Sequence, residues 1–268
     1  MSNFVKHEPC SQCGSRNNLG VWDDGHKWCF GCGYYQPGDR LGELLSPPDP
    51  RKKKYLIKLP EDYTTQLPKI ATEWLDKYHL TKQEIAKHGI GYSDMGIFLV
   101  NRSVRVHPLL ILPIWEGDIA GSGVSSWQGR YLGLDKTLPK YVTFGDYSNH
   151  LPVFSPPSGN TMVVICCEDV ISAIKISRAI PAMPLLGSFL SKESALRLSK
   201  FYHNLTFWLD YDKAKEAVKQ ADAYRPFFDS TNVIITERDP KDYSTKEIQD
   251  YVFPPQGTGS IRPNFDYA

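Results

Sequence analysis

Acidic side chains follow three apolar segments in the C-terminal half of the chain. Glu168 comes directly after "TMVVICC", Asp210 and Asp212 come at the end of "NLTFWLD" and just beyond it, and Asp239 lies in "NVIITERDPKD". Continuous β-branched and aromatic runs of this kind are typical of strands buried on both faces of a parallel sheet. Because the carboxyl ends of parallel strands meet at one edge, where α/β proteins bind ligands, we expect these acids to lie together.

The pair Asp210 and Asp212 indicates what chemistry that edge performs. Side chains two residues apart in a strand point to the same side, and neighbouring carboxylates raise each other's pKa unless a cation lies between them. Mg²⁺ and Mn²⁺ prefer carboxylate oxygens. Any one of these acids alone is better explained as a helix N-cap. Acids at the ends of three consecutive strands instead predict a divalent metal site.

A second candidate metal site lies near the N-terminus. Cys10-x-x-Cys13 is followed, after 15 intervening residues, by Cys29-x-x-Cys32. This spacing is typical of a zinc ribbon with four thiolate ligands, and it predicts one structural Zn²⁺ that also supplies folding energy. Two disulfides, or four unconnected thiols, are the alternatives. The chain starts with no apolar signal segment, so we expect a reducing cytoplasmic location, where zinc is favoured.

Between the two cysteine pairs, "WDDGHKW" places aromatic and short polar side chains on a predicted hairpin. Asp24 and His26, flanked by Trp22 and Trp28, suit base stacking and contacts to base edges. A small hydrophobic plug against the ribbon is an equally good interpretation. Cys166 and Cys167 lie inside a predicted buried strand and are expected to be small core residues.

The elements that position these residues predict an α/β protein of several parts. Strands alternating with helices in the C-terminal part indicate right-handed βαβ units and a parallel, Rossmann-like sheet. Residues 59–98 carry helical spacing, with Ile70, Trp74, Leu75 and Tyr78 on one face, and residues 97–145 read as short strands with glycine turns. The expected parts are a zinc ribbon at 1–45, a linker at 46–58, an N-terminal subdomain at 59–158, a catalytic subdomain at 159–253 and a disordered tail at 254–268.

Composition limits the classes of partner. The chain has 268 residues, a net charge of +1 and no long apolar run, so we expect a soluble protein without a global basic field. Nucleic-acid binding must then come from local patches. The linker "SPPDPRKKK" contains a basic run from Arg51 to Lys54, which is either a solvated tether or a contact to backbone phosphates.

The combination of motifs resembles a known family. Glu168 on one strand and Asp210-x-Asp212 on the next are similar to the Toprim fold shared by primases, topoisomerases and related nucleases. A four-cysteine ribbon before such a domain resembles the primase half of bacteriophage primase–helicases, and the likeness extends through "DGHKWCFGC", "GRYLG…PKYVTFG" and "RDPKD". Two positions depart from the pattern: Asp169 replaces the Toprim glycine, and Ser172 replaces a later aspartate.

The resemblance implies a DNA primase that synthesises short RNA primers on single-stranded DNA by two-metal nucleotidyl transfer during phage replication. It implies ribonucleoside triphosphates as substrates and Mg²⁺ or Mn²⁺ as the catalytic metal. No "GxxxxGK[ST]" motif occurs, so a separate replicative helicase and a DNA polymerase are expected partners. The implied roles are metal binding for Glu168, Asp210 and Asp212, a second-metal or outer position for Asp239, triphosphate binding for Arg130, Lys140 and Lys136, and template reading for Asp24 and His26.

Two other functions are compatible with the sequence. One is a Toprim nuclease or topoisomerase-like enzyme. The other is a non-enzymatic helicase adaptor with a degenerate Toprim site, for which Ser172 is the one hint. For Lys136, plain surface charge is nearly as good an interpretation as triphosphate binding.

Overall fold

The computed structural model describes residues 4–23, 25–32, 34–36, 57–100, 103–115, 123–145, 152–156 and 161–253. The chain divides into two compact units, Met1–Lys53 and Lys54–Ala268. Asp24, residues 46–56 of the predicted linker and the predicted tail 254–268 lie outside the described residues. In the part that is described, no helix is long and apolar enough to cross a membrane.

The N-terminal unit is a four-stranded antiparallel sheet with the strand order β1-β2-β3-β4. Its strands are β1 (Phe4–Glu8), β2 (Leu19–Trp22), β3 (Lys27–Cys29) and β4 (Tyr35–Gln36). Strands β2 and β3 pair around a turn in which Gly25 has a φ of 79°, so the predicted hairpin is confirmed. The buried apolar core is small, consisting of Cys10, Leu19 and Cys29 with Tyr34 packed against it. So small a core leaves much of the folding free energy to a bound metal.

The C-terminal unit begins with two helices and an antiparallel sheet of order β5-β6-β7-β8. The elements are α1 (Lys69–Asp76), α2 (Lys82–Lys87), β5 (Gly91–Val100), β6 (Ser103–Trp115), β7 (Val124–Tyr131) and β8 (Tyr141–Gly145). Helical structure does not extend to residue 98 as predicted. Gly89, with a φ of 56°, ends the helical segment in the left-handed conformation. Trp74 and Leu75 of the predicted face are buried and Tyr78 is partly buried, but Ile70 is exposed and Ala71 is buried in its place.

The second sheet of this unit is parallel, with the order β10-β9-β11-β12, which confirms the α/β prediction. Its strands and helices are β9 (Val163–Cys167), α3 (Val170–Ile176), β10 (Ala182–Pro184), α4 (Lys192–Leu198), β11 (Asn204–Phe207), α5 (Ala214–Tyr224), β12 (Ser230–Val233) and α6 (Thr245–Val252). Cys166 and Cys167 are fully buried, as predicted.

A shared apolar core fixes the two sheets of this unit against each other. Strand β6 alternates its side chains, so that Leu110 and Leu112 enter the core that also contains Ile165 and Trp208 of the parallel-sheet region. Leu109, on the opposite face of β6, packs into a separate cluster. Residues on β7 and β8 are thereby held in a fixed position relative to the parallel sheet.

An arginine links the helices on one side of this core. Arg178, just after α3, pairs with Glu84 of α2 at 2.6 Å and donates to the Thr245 hydroxyl of α6 at 3.0 Å. It also donates to the His79 carbonyl at 2.9 Å. These bonds tie α2 and α6 to the end of α3, whose first residues lie at the acidic edge.

Candidate active site

The four cysteines of the N-terminal unit have the geometry of a zinc site. The Sγ atoms of Cys10 and Cys32 are 3.8 Å apart and those of Cys13 and Cys29 are 3.7 Å apart, with all four within 4.8 Å of one another. A tetrahedral zinc with Zn–S bonds of about 2.3 Å places its ligand sulfurs about 3.8 Å apart. The cysteines therefore fit one structural zinc, as the spacing predicted.

The acids of the parallel sheet follow strand ends at one edge. Glu168 follows β9 directly, and its Oε1 accepts a bond from the Asp210 backbone N–H at 3.3 Å. Asp239 precedes a 3₁₀ turn formed by residues 240–242. The structure thus brings Glu168, Asp210 and Asp239 to the same edge, from three neighbouring strands.

Asp212 is not placed as strand periodicity predicted. Strand β11 ends at Phe207, and Asp210 begins a 3₁₀ turn over Tyr211–Lys213. The backbone therefore bends before the second acid. The Asp212 side chain is 73% exposed and pairs with Lys213 at 3.3 Å, whereas that of Asp210 is 21% exposed. The two carboxylates do not face each other as i and i+2 neighbours of a strand.

A lysine for which the sequence motifs predict no role lies at the centre of this edge. Lys241 Nζ is 2.8 Å from Asp239 Oδ2, 3.0 Å from Asp169 Oδ2 and 3.4 Å from Asp210 Oδ2, and its side chain is 12% exposed. The signal available in the sequence was a lysine between two aspartates in "RDPKD", just after a strand. Burial opposes the charge of Lys241, but the three carboxylates raise its pKa well above the ordinary lysine value.

Burial raises the pKa of Glu168 to about 7, and the charges of Asp212 and Asp169 act in the same direction. Burial also raises the pKa of Asp210 to about 7, although Lys241 opposes this effect. Both pKa values exceed the ordinary carboxyl pKa of about 4. Between pH of about 4 and 7, the folded state therefore binds more protons than the unfolded state. The two carboxyls therefore lower the stability of the metal-free fold as pH rises from about 4 to 7.

The donor set at this edge fits a hard divalent cation. Asp210 Oδ1 is buried and has no hydrogen-bond partner among the described residues, and Glu168 offers a second carboxylate beside it. Oxygen ligands of this kind suit Mg²⁺ or Mn²⁺. Within the described ranges, the cysteines are the one group of three or more metal-ligating side chains whose atoms already lie within 4.8 Å of each other. The carboxylates must therefore adjust to share an ion.

Arg130 lies on the antiparallel sheet, where it is held by aromatic rings. Its guanidinium carbon is 4.6 Å from the Tyr141 ring centroid and 5.4 Å from that of Trp74. Its Nε is buried without a partner in the described part of the chain. Burial raises the pKa of Tyr141, and the charge of Asp169 acts in the same direction.

The two predicted substrate-binding lysines are exposed. Lys136 and Lys140 lie in the segment between β7 and β8. The backbone of Lys140 is fixed, because its carbonyl accepts a bond from the Tyr131 N–H at 3.0 Å. Their exposed side chains leave them available for a charged ligand.

The aromatic residues of the ribbon form a surface cluster. The His26 ring stacks on Trp22, with centroids 4.4 Å apart and an interplanar angle of 14°. Trp22 also contacts Phe4 and Phe30, both of which are exposed. This exposure favours a contact surface over the hydrophobic-plug interpretation.

Comparison with known proteins identifies the fold. No protein-family model matches the chain. The zinc-binding and RNA polymerase domains of the Aquifex aeolicus primase align with 93% of this chain and 80% of that one, at 16% identity and a TM-score of 0.54. A DNA primase domain from Pseudomonas aeruginosa aligns with 65% of this chain and 66% of that one, at 18% identity and a TM-score of 0.50. The chain has the fold of a DNA primase. The fold predicted from the motifs is thereby confirmed.

Two phage proteins are also similar to this primase-fold chain. The primase fragment of the bacteriophage T7 primase-helicase protein aligns with 93% of this chain and 98% of that one, at 15% identity, but the TM-score of 0.46 is too low to establish a shared fold. The DNA helicase/primase of Enterobacteria phage T3 is 45% identical over 40 residues. That match spans 15% of this chain and 7% of the phage T3 protein.

Proposed function

We propose that this chain is a DNA primase that makes short RNA primers on a single-stranded DNA template. The observation that carries the proposal is the buried Asp210 Oδ1, which has no hydrogen-bond partner in the described part of the chain and lies beside Glu168 at the carboxyl edge of the parallel sheet. In the proposed primase, this oxygen would bind the cation that nucleotidyl transfer requires. The four-cysteine ribbon at the other end of the chain supplies a separate module for template contact.

In the proposed reaction, the 3′-oxygen of one ribonucleotide bonds to the α-phosphorus of the next, and pyrophosphate leaves. Glu168 and Asp210 would hold the catalytic Mg²⁺ or Mn²⁺, with the exposed Asp212 as a further ligand. When bound, such an ion lowers the pKa of the attacking hydroxyl and stabilises charge on the phosphate oxygens. Asp239 is in contact with Lys241, so it acts in an outer position.

The cationic side chains would orient the triphosphate. The Arg130 guanidinium lies against the Tyr141 ring, and its Nε, which has no hydrogen-bond partner among the described residues, would donate to a phosphate oxygen. Lys140 and Lys136 would add flexible point charges from the neighbouring segment. These residues lie in the same unit as the acids, so the triphosphate would contact both groups at once.

Partners follow from the same proposal. Asp24 and His26 of the ribbon would contact the template, and the basic run from Arg51 to Lys54 would contact its phosphates. A separate replicative helicase and a DNA polymerase would act with the chain during phage replication in the host cytoplasm.

Synthesis of labelled oligomers tests the proposed function. The full chain is incubated with single-stranded DNA, labelled ribonucleoside triphosphates and Mg²⁺ or Mn²⁺. We expect template-dependent oligoribonucleotides a few nucleotides long. Shortening of the template would instead identify a nuclease, and a chain that does neither but stimulates a helicase would be an adaptor.

Removal of the ribbon should separate initiation from extension. A chain lacking residues 1–45 should lose template-specific initiation yet still extend a supplied oligoribonucleotide, because the metal-binding acids lie beyond residue 160. In the full chain, His26→Ala should alter the choice of initiation site more than the extension rate, since one base or stacking contact contributes about 1–3 kcal/mol. Sequencing of the primers made on a template library measures this choice.

The matched control is His203→Ala, which removes an exposed histidine of the other unit that pairs with Asp229. It should leave both initiation sites and extension rate unchanged. If the truncated chain initiates at the same sites as the full chain, template reading lies outside the ribbon.

A further inference from the structure

The ammonium of Lys241 occupies a position where several carboxylates converge. Its partners follow three different strands: Asp169 after β9, Asp210 after β11 and Asp239 beyond β12, at 3.0, 3.4 and 2.8 Å. An ammonium has three N–H donors, and three carboxylates accept them. The group therefore has no donor left for a substrate phosphate. Its contacts are those of a cation bound by a carboxylate cluster.

Lys241 is also fixed from the backbone side. Its carbonyl accepts a bond from Lys175 Nζ at 2.5 Å, and Lys175 is buried within α3. Pro240, directly before it, is buried in the 3₁₀ turn. With its main chain anchored and its side chain largely buried, Lys241 differs from a mobile surface lysine that a metal ion displaces easily.

Both carboxylate oxygens of Asp169 already accept hydrogen bonds. Its Oδ1 accepts the Ser172 backbone N–H at 2.9 Å, and its Oδ2 accepts the Ser172 hydroxyl at 2.9 Å in addition to Lys241. The side chain is 9% exposed. Both departures from the Toprim pattern are thus explained together, because Asp169 caps α3 through Ser172 and anchors the lysine.

Carboxylate oxygens of Asp210 and Glu168 that do not contact Lys241 also lie at this edge. Asp210 uses Oδ2 toward Lys241 and leaves Oδ1 buried without a partner among the described residues. Within the described ranges, the Glu168 carboxylate accepts one hydrogen bond, from the Asp210 N–H at 3.3 Å. The edge thus has two sides, one filled by an ammonium and one with free carboxylate oxygens.

We propose that Lys241 is a built-in cation that takes the place of a second divalent metal, so that this edge binds one exchangeable Mg²⁺ or Mn²⁺ ion. The inference rests on the proposed function, and it replaces the two-metal chemistry that the family resemblance implies with chemistry on one ion. An ammonium supplies one positive charge regardless of the metal concentration, but it cannot coordinate a leaving group. The single ion, held by Glu168 and Asp210, must therefore contact the reacting phosphate.

Counting bound Mn²⁺ on the zinc-loaded full chain tests this inference. Electron paramagnetic resonance of free Mn²⁺, in metal-depleted buffer, should give one Mn²⁺ per wild-type chain and two per Lys241→Met chain. Without added metal, the melting temperature of Lys241→Met should be lower than that of the wild type, since three carboxylates then lack their counterion. Millimolar Mn²⁺ should restore it. Lys241→Arg, which keeps the positive charge, should still bind one ion.

The matched control is Lys213→Met, which removes a lysine that pairs with the exposed Asp212. It should keep one Mn²⁺, which separates a new site from a general increase in negative charge. Two ions on the wild type, or one on Lys241→Met, would overturn the inference while leaving a metal-dependent primase intact. No Mn²⁺ on the wild type would overturn the inference and the proposed metal site together. Even if Lys241→Met fails to fold, the number of Mn²⁺ ions bound per wild-type chain distinguishes one exchangeable metal site from two.

Discussion

Asp210→Asn should lower the rate of primer synthesis on the order of 10³-fold or more, which corresponds to about 4 kcal/mol of transition-state stabilisation. The substitution keeps the shape of the side chain but removes the negative charge from the proposed metal ligand, whose buried Oδ1 has no hydrogen-bond partner among the described residues. The fold and the zinc content should not change, because an amide is accommodated more easily than a buried carboxylate whose pKa burial raises to about 7. Steady-state synthesis of labelled oligomers measures the rate.

The control for this variant is Asp229→Asn. Asp229 is exposed and precedes β12, so it lies at the opposite edge of the same sheet. Its substitution should leave the rate within about twofold of the wild type, since surface changes away from the site have small effects. Asp212→Asn should act in the same direction as Asp210→Asn. A wild-type rate for Asp210→Asn would identify Asp210 as a structural residue and remove the metal-site proposal.

Local sequence signals predicted the parts of the fold that depend on short-range physics. The runs around Ile165 and Phe207 are β-branched and aromatic, and they form the two central strands of the parallel sheet. The cysteine spacing likewise determines a site whose ligands come from two tight turns. In both cases the residues that create the signal are near one another in sequence.

Features that depend on distant residues were not predictable in this way. Lys241 and Asp169 are 72 positions apart, and nothing in either segment specifies their contact. Asp212 leaves the expected position because the strand ends three residues before Asp210, and that end is set by pairing with neighbouring strands. The strand at Gly91–Val100 similarly depends on pairing with β6.

Cys29→Ser should remove the zinc and unfold the N-terminal unit while the C-terminal unit stays folded. The ribbon buries few apolar side chains, and structural zinc supplies about 10–16 kcal/mol of apparent binding free energy in small zinc-dependent modules. Loss of one thiolate from a four-thiolate site removes most of this energy. The C-terminal unit has its own apolar cores, so its melting transition should persist. Zinc analysis should give one ion per wild-type chain and none per variant chain.

Cys166→Ser is the matched control, because Cys166 is fully buried in β9 and far in sequence from the ribbon. It should lower the melting temperature of the C-terminal unit and keep one zinc per chain, which distinguishes loss of a ligand from loss of a buried thiol. Cys29→Ser should also lose template-specific initiation, since the Trp22–His26 stack depends on the folded ribbon. A Cys29→Ser chain that retains stoichiometric zinc would show that the metal is bound elsewhere. A zinc-free variant that initiates normally would show that the ribbon does not read the template.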